Sequence, residues 1–268
     1  MNIGAALGVL EAARNEYSRG LAVDNQLSGG IRSPWSLVVI SSPRLCPKSS
    51  YGSGMPHTWD PDALSPLAAV QRLVAGNRRF CEGGAGIKAR AFSADLAERP
   101  QRPFAIVLGC SDSRTPVEIL FDEGFGDLFV VRIAGNVVAP SVVGSIEFAA
   151  SQFGTRLVVV LGHTRCGAIG ATVNALRTSN GPESRNIRSI TDRIAPHITT
   201  LVRASAATPD AVLLRELMRI NVRASADHLR HGSQIIEDLV LKGRFAVVAA
   251  EYELETGHVH FFDGVPAE

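Results

Sequence analysis

The sequence predicts an α/β protein: a mostly parallel central sheet of four parallel strands plus an antiparallel edge strand, flanked by helices. Two observations predict it. The runs Phe104–Leu108 (FAIVL), Leu128–Val131 (LFVV) and Leu157–Leu161 (LVVVL) are apolar without alternation, as strands buried on both faces are. Between them lie segments whose apolar residues recur at helical spacing, and strands alternating with helices wind into a parallel sheet.

The elements follow in order. Leu67, Val70, Leu73 and Val74 share one helical face, and that helix ends near Gly76-Asn77 or Phe80. Helices are expected at Pro116–Phe121, Val142–Phe153 and Cys166–Leu176. Asp210–Leu241 reads as a long helical stretch interrupted at Gly232-Ser233. Phe245–Ala250 and His258–Phe262 flank the turn Glu255-Thr256-Gly257 and read as the fourth strand and its hairpin partner. Residues 1–55 are expected to be an N-terminal extension, disordered or loosely structured. Residues 41–56 are rich in Ser, Pro and Gly, and Met55 stands just ahead of the first convincing element, where a later start codon would put it. Residues 56–268 form the folded domain.

Composition narrows the function classes. With 46% hydrophobic and 20% charged residues in 268, the chain has ample material for a core and is too apolar for disorder. Its 27 Lys+Arg against 26 Asp+Glu leave a formal charge of +1, so there is no general pull toward nucleic acid or anionic membrane. Arg177, Arg185, Arg188 and Arg193 are scattered as on a solvated helical surface. No apolar run approaches the roughly 20 residues that span a bilayer, and residues 1–20 lack a signal-peptide pattern. Four widely spaced cysteines are too few for a disulfide framework. They suggest a reducing compartment, the cytoplasm, with thiols kept for metal or catalysis.

The chemistry sits behind two strands. Phe104–Leu108 runs into Gly109-Cys110-Ser111-Asp112-Ser113-Arg114, and Leu157–Leu161 into Gly162-His163-Thr164-Arg165-Cys166-Gly167. If these strands are neighbours, with the Leu128 strand outside, both loops flank a topological switch point, where open α/β sheets bind ligands. Two thiolates and one imidazole make a Cys2His set suited to Zn2+, with a fourth position left for water. Cys46 and Cys81 are not obvious fourth ligands. A carboxylate beside that water orients it, and Arg114 can grip Asp112 bidentately and keep it ionised. Asp112 is also near enough to Cys110 to become a fourth ligand itself in a closed state. His228, His231, His258 and His260 are expected on solvated surfaces, with no metal.

CSDSR and GHTRCGA, each following a strand, resemble the two signatures of the β-class carbonic anhydrases. GNRRF at 76–80, VVRIAGN at 130–136, GSIEFAA at 144–150 and EYELETGHV at 251–259 fall in the same order as in that family. The likeness spans residues 62–264, about three quarters of the chain. It implies one zinc per chain on Cys110, His163 and Cys166, an orienting dyad of Asp112 and Arg114, and reversible hydration of CO2 to bicarbonate and a proton. It further implies that Gln101 and the backbone N–H of Gly167 bind substrate. The cleft would lie at a subunit interface of a homodimer or tetramer, with Phe125, Val137 and Phe148 as wall candidates. The Leu67–Phe80 helix, with no obvious place in the sheet's own layers, would pack on the partner. Val107 stands where a bicarbonate-inhibited branch has tryptophan, although Arg132 and Tyr252 match that site's other members. Two rival functions remain open at this point: hydrolysis of carbonyl sulfide or carbon disulfide on the same fold, and a non-catalytic bicarbonate- or zinc-binding module.

Overall fold

Five strands build one sheet: β1 (Ala105–Gly109), β2 (Leu128–Arg132), β3 (Leu157–His163), β4 (Ala246–Tyr252) and β5 (Val259–Asp263). They lie in the order β2-β1-β3-β4-β5; β2, β1, β3 and β4 are mutually parallel, and β5 runs antiparallel to β4. This is the expected sheet, with the Leu128 strand on the outside. The computed structural model describes residues 64–83, 94–98, 100–178, 184–205 and 210–267. The expected extension, residues 1–55, lies outside the described residues.

Alternation along the strands divides the core in two. Ile106 and Leu108, Val158 and Val160, and Val247 and Ala249 face one layer of helices. Ala105 and Val107, Leu157, Val159 and Leu161, and Val248 and Ala250 face the other way. Both sets are buried, so β1, β3 and β4 run apolar until their carboxyl ends, where His163 and the buried Glu251 enter β3 and β4. A fully buried aliphatic side chain contributes about 1.5–3 kcal/mol relative to exposure.

The helices obey local signals. α1 (Pro66–Cys81) starts with Pro66 in its first turn, and the Ser65 hydroxyl accepts from Ala68 N at 3.2 Å. α2 (Val117–Leu120) is a single turn, shorter than the expected Pro116–Phe121. α3 (Pro140–Gln152) and α4 (Gly167–Arg177) fall where helices were expected. α5 (Arg185–Ala204) is longer than its scattered arginines suggested. It buries Thr191, Ile194, Ile198 and Val202 beneath an exposed face that carries Pro196. α6 (Ala211–His231) is capped by Asp210, whose carboxylate accepts from Leu213 N at 2.8 Å. α7 (Gln234–Leu241) follows the break at Gly232-Ser233, with Ser233 as its cap. A Cβ at Gly232 would stand 2.5 Å from His228 O, so the chain turns there on glycine.

One expectation is corrected. α1 does have a place in its own chain's layers: Ala69, Val70 and Leu73 pack on the sheet face formed by Val107, Val159 and Leu161. Ion pairs between half-exposed arginines and buried carboxylates hold it there. Arg72 donates to Glu123 through Nε at 2.9 Å and through Nη2, and Arg79 pairs with Asp122. Asn77 donates to Leu120 O at 3.1 Å and to Gly257 O at 2.9 Å, joining α1 to α2 and to the β4–β5 turn. Val74, 48% exposed, lies off this packed face.

Candidate metal centre

β1 and β3 are paired neighbours, with Gly109 opposite Leu161. The residues that follow therefore emerge side by side at the carboxyl ends of the strands, where the chain order reverses across β1. Cys110 immediately follows β1, His163 is the last residue of β3, and Cys166 is the N-cap of α4. All three are buried, and their ligand atoms lie within 4.8 Å of one another. Among the described residues this is the one such group of His, Cys, Asp or Glu.

The donor chemistry fits zinc. His163 is 1% exposed, and its Nδ1 lies 2.9 Å from Thr164 O. Nδ1 therefore carries the proton and donates it to that carbonyl, which leaves a lone pair on Nε2. That buried Nε2 has no partner, an arrangement costly to leave unmet in a folded interior and ordinary for a metal ligand. Hydrogen bonding from Cys166 holds the Cys110 thiol well below its ordinary pKa, and the same bond pushes Cys166 up. Both thiols must give up their protons to hold a divalent cation. Ligands about 2.3 Å from a tetrahedral zinc stand roughly 3.8 Å apart, so only small adjustment is needed.

Asp112 and Arg114 meet as expected. Arg114 Nε donates to Asp112 Oδ1 at 2.9 Å and Nη2 to Oδ2 at 2.7 Å, while the Arg114 backbone N also donates to Oδ1 at 2.9 Å. The hydrogen bond from Arg114 holds the Asp112 carboxyl far below the usual carboxylate range. Asp112 Oδ2 lies 3.9 Å from His163 Nε2, on the edge of the cysteine–histidine cluster. Gly167 opens α4 directly after Cys166; it is exposed, and a Cβ there would meet nothing within 4 Å.

Gln101 is not brought to this group within one chain. It lies before β1, beside Gly126, and lines a groove with Phe125 and Arg102. The five residues of β1, about 16 Å of strand, separate it from Cys110. Phe125 shares that far end, and Phe148 stacks with Phe129 and Phe153 on the outer edge of the sheet. Neither wall candidate lines its own chain's cluster. Val137 is buried in the same core as Cys110.

Three residues around the cluster, Thr115, Gly135 and Asn221, had no role assigned from sequence, and Arg132 was matched only to a member of the bicarbonate-inhibited site. Arg132 donates to Cys110 O at 2.9 Å and to Asp112 O at 2.5 Å, fixing the loop between the ligand and the dyad. Thr115 Oγ1 donates to Asp112 O at 2.8 Å. Gly135 N donates to Cys110 Sγ at 3.4 Å, and Asn221 Nδ2 holds Gly135 O at 2.9 Å. Gly135 has φ 67°, and a Cβ there would stand 2.9 Å from Ile194 Cδ1. The stretch Val131-Arg132-Ile133-Ala134-Gly135-Asn136 was the available signal, but nothing in its spacing points to a thiolate.

Fold and donor set together define an α/β protein with a Cys2His metal centre at the switch point of a parallel sheet. The carbonic anhydrase family model matches residues 105–259. A carbonic anhydrase of Mycolicibacterium smegmatis is 39% identical over 200 residues, covering 73% of this chain and 92% of that protein. Carbonic anhydrase 2 of Mycobacterium tuberculosis is 34% identical over 203 residues, 75% of this chain and 95% of the relative. A tetrameric β-carbonic anhydrase of Sordaria macrospora superposes with a TM-score of 0.57 at 20% identity, over 72% of this chain and 96% of that one. The Coccomyxa β-carbonic anhydrase solved with acetazolamide gives 0.56 at 20%, over 72% and 86%. The chain belongs to the β-carbonic anhydrase family.

Proposed function

We propose that the protein catalyses reversible hydration of CO2 to bicarbonate and a proton, with one zinc ion per chain held by Cys110 Sγ, His163 Nε2 and Cys166 Sγ. The observation that carries this reading is the unpartnered Nε2 of His163, buried between two thiols. Zinc held by these donors supplies a Lewis acid with one open position.

The chain's own residues do the rest. Asp112 Oδ2 faces the cluster and accepts the hydrogen of the attacking water, which sets the direction of its lone pair. Arg114 keeps that carboxylate ionised and stops it from turning onto the metal. The Gly167 N–H, at the positive end of α4, donates to a substrate oxygen. Gln101 serves as a second donor only across an interface, from a second copy of the chain, and this supports a homodimer or tetramer with a shared cleft. Exposed Phe125 and Phe148, at 59% and 52%, give that interface apolar surface. Among the described residues no helix is long and apolar enough to cross a membrane, and Cys81, Cys110 and Cys166 are free thiols. A reducing, cytoplasmic setting suits such a site.

Stopped-flow measurement of CO2 hydration by the zinc-loaded protein tests the reading. Turnover that tracks zinc content supports it. Zinc-loaded protein that is inert toward CO2 but hydrolyses carbonyl sulfide or carbon disulfide, or that binds bicarbonate without turnover, overturns it.

A further inference from the structure

Glu255 lies in the turn between β4 and β5, 89 residues after the last metal-ligand candidate in sequence, yet it reaches the loop that carries two of the three. Its Oε2 accepts from Thr164 Oγ1 at 2.8 Å and its Oε1 from Arg165 Nε at 2.6 Å. Thr164 and Arg165 are the only residues between His163 and Cys166. The Thr164 hydroxyl also accepts from Leu254 N at 3.0 Å, and Thr164 N donates to Tyr252 O at 3.0 Å. Thr164 O in turn receives the proton of His163 Nδ1 at 2.9 Å. A continuous path of hydrogen bonds therefore runs from Glu255 through Thr164 to the imidazole.

The loop needs such support. Arg165 has φ 55°, a left-handed conformation that costs a non-glycine residue on the order of 1–2 kcal/mol. Released, this turn relaxes by changing the direction of the bonds that present His163 and Cys166. The Glu255–Arg165 pair is exposed, with side chains at 42% and 71%, and contributes little by itself. The Thr164 contact is half-buried and tied to backbone on both sides.

The turn that presents Glu255 is itself anchored. Glu253 accepts from Thr256 Oγ1 at 2.6 Å and from Arg215 Nη1 of α6 at 3.0 Å. Asn77 of α1 donates to Gly257 O at 2.9 Å and accepts from Val259 N at 2.8 Å. Glu255 is thus fixed to two helices before it touches the loop.

We propose that Glu255 is a positioning residue for the metal centre: acting through Thr164, it locks the His163–Cys166 loop in its ligating geometry and slows the loss of zinc. This rests on the zinc reading given above. Glu255 touches no ligand atom and has no part in the chemistry.

The test compares zinc-loaded wild type, Glu255→Ala, Glu255→Gln and Thr164→Val. The rate of zinc transfer to excess chromophoric chelator is read at neutral pH, together with the visible spectrum of the Co2+-substituted proteins. Glu255→Ala and Thr164→Val release zinc about 10-fold faster, the scale on which outer hydrogen-bond partners tune metal affinity. Glu255→Gln, which keeps an acceptor for Thr164, falls between. The Co2+ bands shift in Glu255→Ala. Release within about two-fold of wild type with unchanged Co2+ bands overturns the proposal, as does a lowered zinc-free melting temperature with unchanged release. If Glu255→Ala does not fold, Glu255→Gln and Thr164→Val decide on the same criteria. Wild type that holds no zinc fails both readings, whereas wild type and variants that hold it equally well fail this one alone.

Discussion

The carboxylate of Asp112 is gripped edge-on by Arg114, at 2.9 and 2.7 Å, while its Oδ2 stands 3.9 Å from His163 Nε2. The same oxygen that faces the cluster is therefore the one held by Nη2. With the guanidinium removed, the carboxylate loses its partner at a place where a cation would attract it. Arg114→Ala is expected to lower CO2 hydration about 10- to 100-fold at every pH, on the scale of outer-shell losses. Zinc-edge spectroscopy should then show a carboxylate oxygen joining the sulfur and nitrogen donors. Arg114→Lys should not restore the rate, because an ammonium cannot make the paired contact. An unchanged rate and metal shell in Arg114→Ala would reduce the pair to a structural salt bridge.

Cys166→Ala isolates the donor set from the fold. The residue caps α4 through backbone alone, with no side-chain cap bond, so the helix keeps its start. Two donors remain, too few for a stable zinc site. Metal analysis after dialysis should fall from one zinc per chain to less than about one tenth, with an unchanged far-ultraviolet circular dichroism spectrum. Full zinc occupancy in the variant would mean the ion is held elsewhere.

Much of this was legible in the sequence because the informative signals are local. FAIVL and LVVVL announce doubly buried strands, and the two loops behind them carry cysteine and histidine at fixed distance from each strand end. The switch point then follows from strand order alone. What was not legible depends on contacts far apart in the chain. Ala69, Val70 and Leu73 cover the sheet's second face, which no periodicity could tell from a face offered to a partner. The stripe of α5 was obscured by its arginines and Pro196, although Ile194 and Ile198 are fully buried. Gln101 is a different case: within one chain the five residues of β1 separate it from Cys110, and only a second copy of the chain could bring it to the cluster.

Gly76→Ala tests whether α1 belongs to its own chain's fold. The helix approaches α2 so closely that a Cβ on Gly76 would lie 1.8 Å from the carbonyl oxygen of Phe121, a backbone atom that cannot swing aside. Either α1 lifts away, exposing Ala69, Val70 and Leu73, or the Phe121 turn moves and strains the Arg79–Asp122 pair. Chemical denaturation should report a loss of about 3 kcal/mol, at the upper end for overpacking. A loss below about 0.5 kcal/mol would show that the helix is not seated as described.

The acid response of the Glu255 latch has a definite sign. Hydrogen bonds from Thr164 first, and from Arg165 next, hold the Glu255 carboxyl below its ordinary value. A group whose folded pKa is depressed stabilises the fold above its unfolded pKa, about 4.3 for glutamate, and loses that contribution as pH falls through the folded value. The charged groups facing it are Arg165, which favours the ionised form, and Glu253, which opposes it but is itself held down by Thr256 and Arg215. The latch is therefore fully formed at neutral pH and opens only below the ordinary glutamate range. Carbon-detected magnetic resonance of the Glu255 carboxyl should show a titration midpoint below about 4.3. Thr164→Val should raise that midpoint more than Arg165→Ala does, because the hydroxyl's bond is the larger cause. A midpoint at or above the ordinary value, or an equal one in Thr164→Val, would mean that Thr164 and Glu255 do not hold each other in solution.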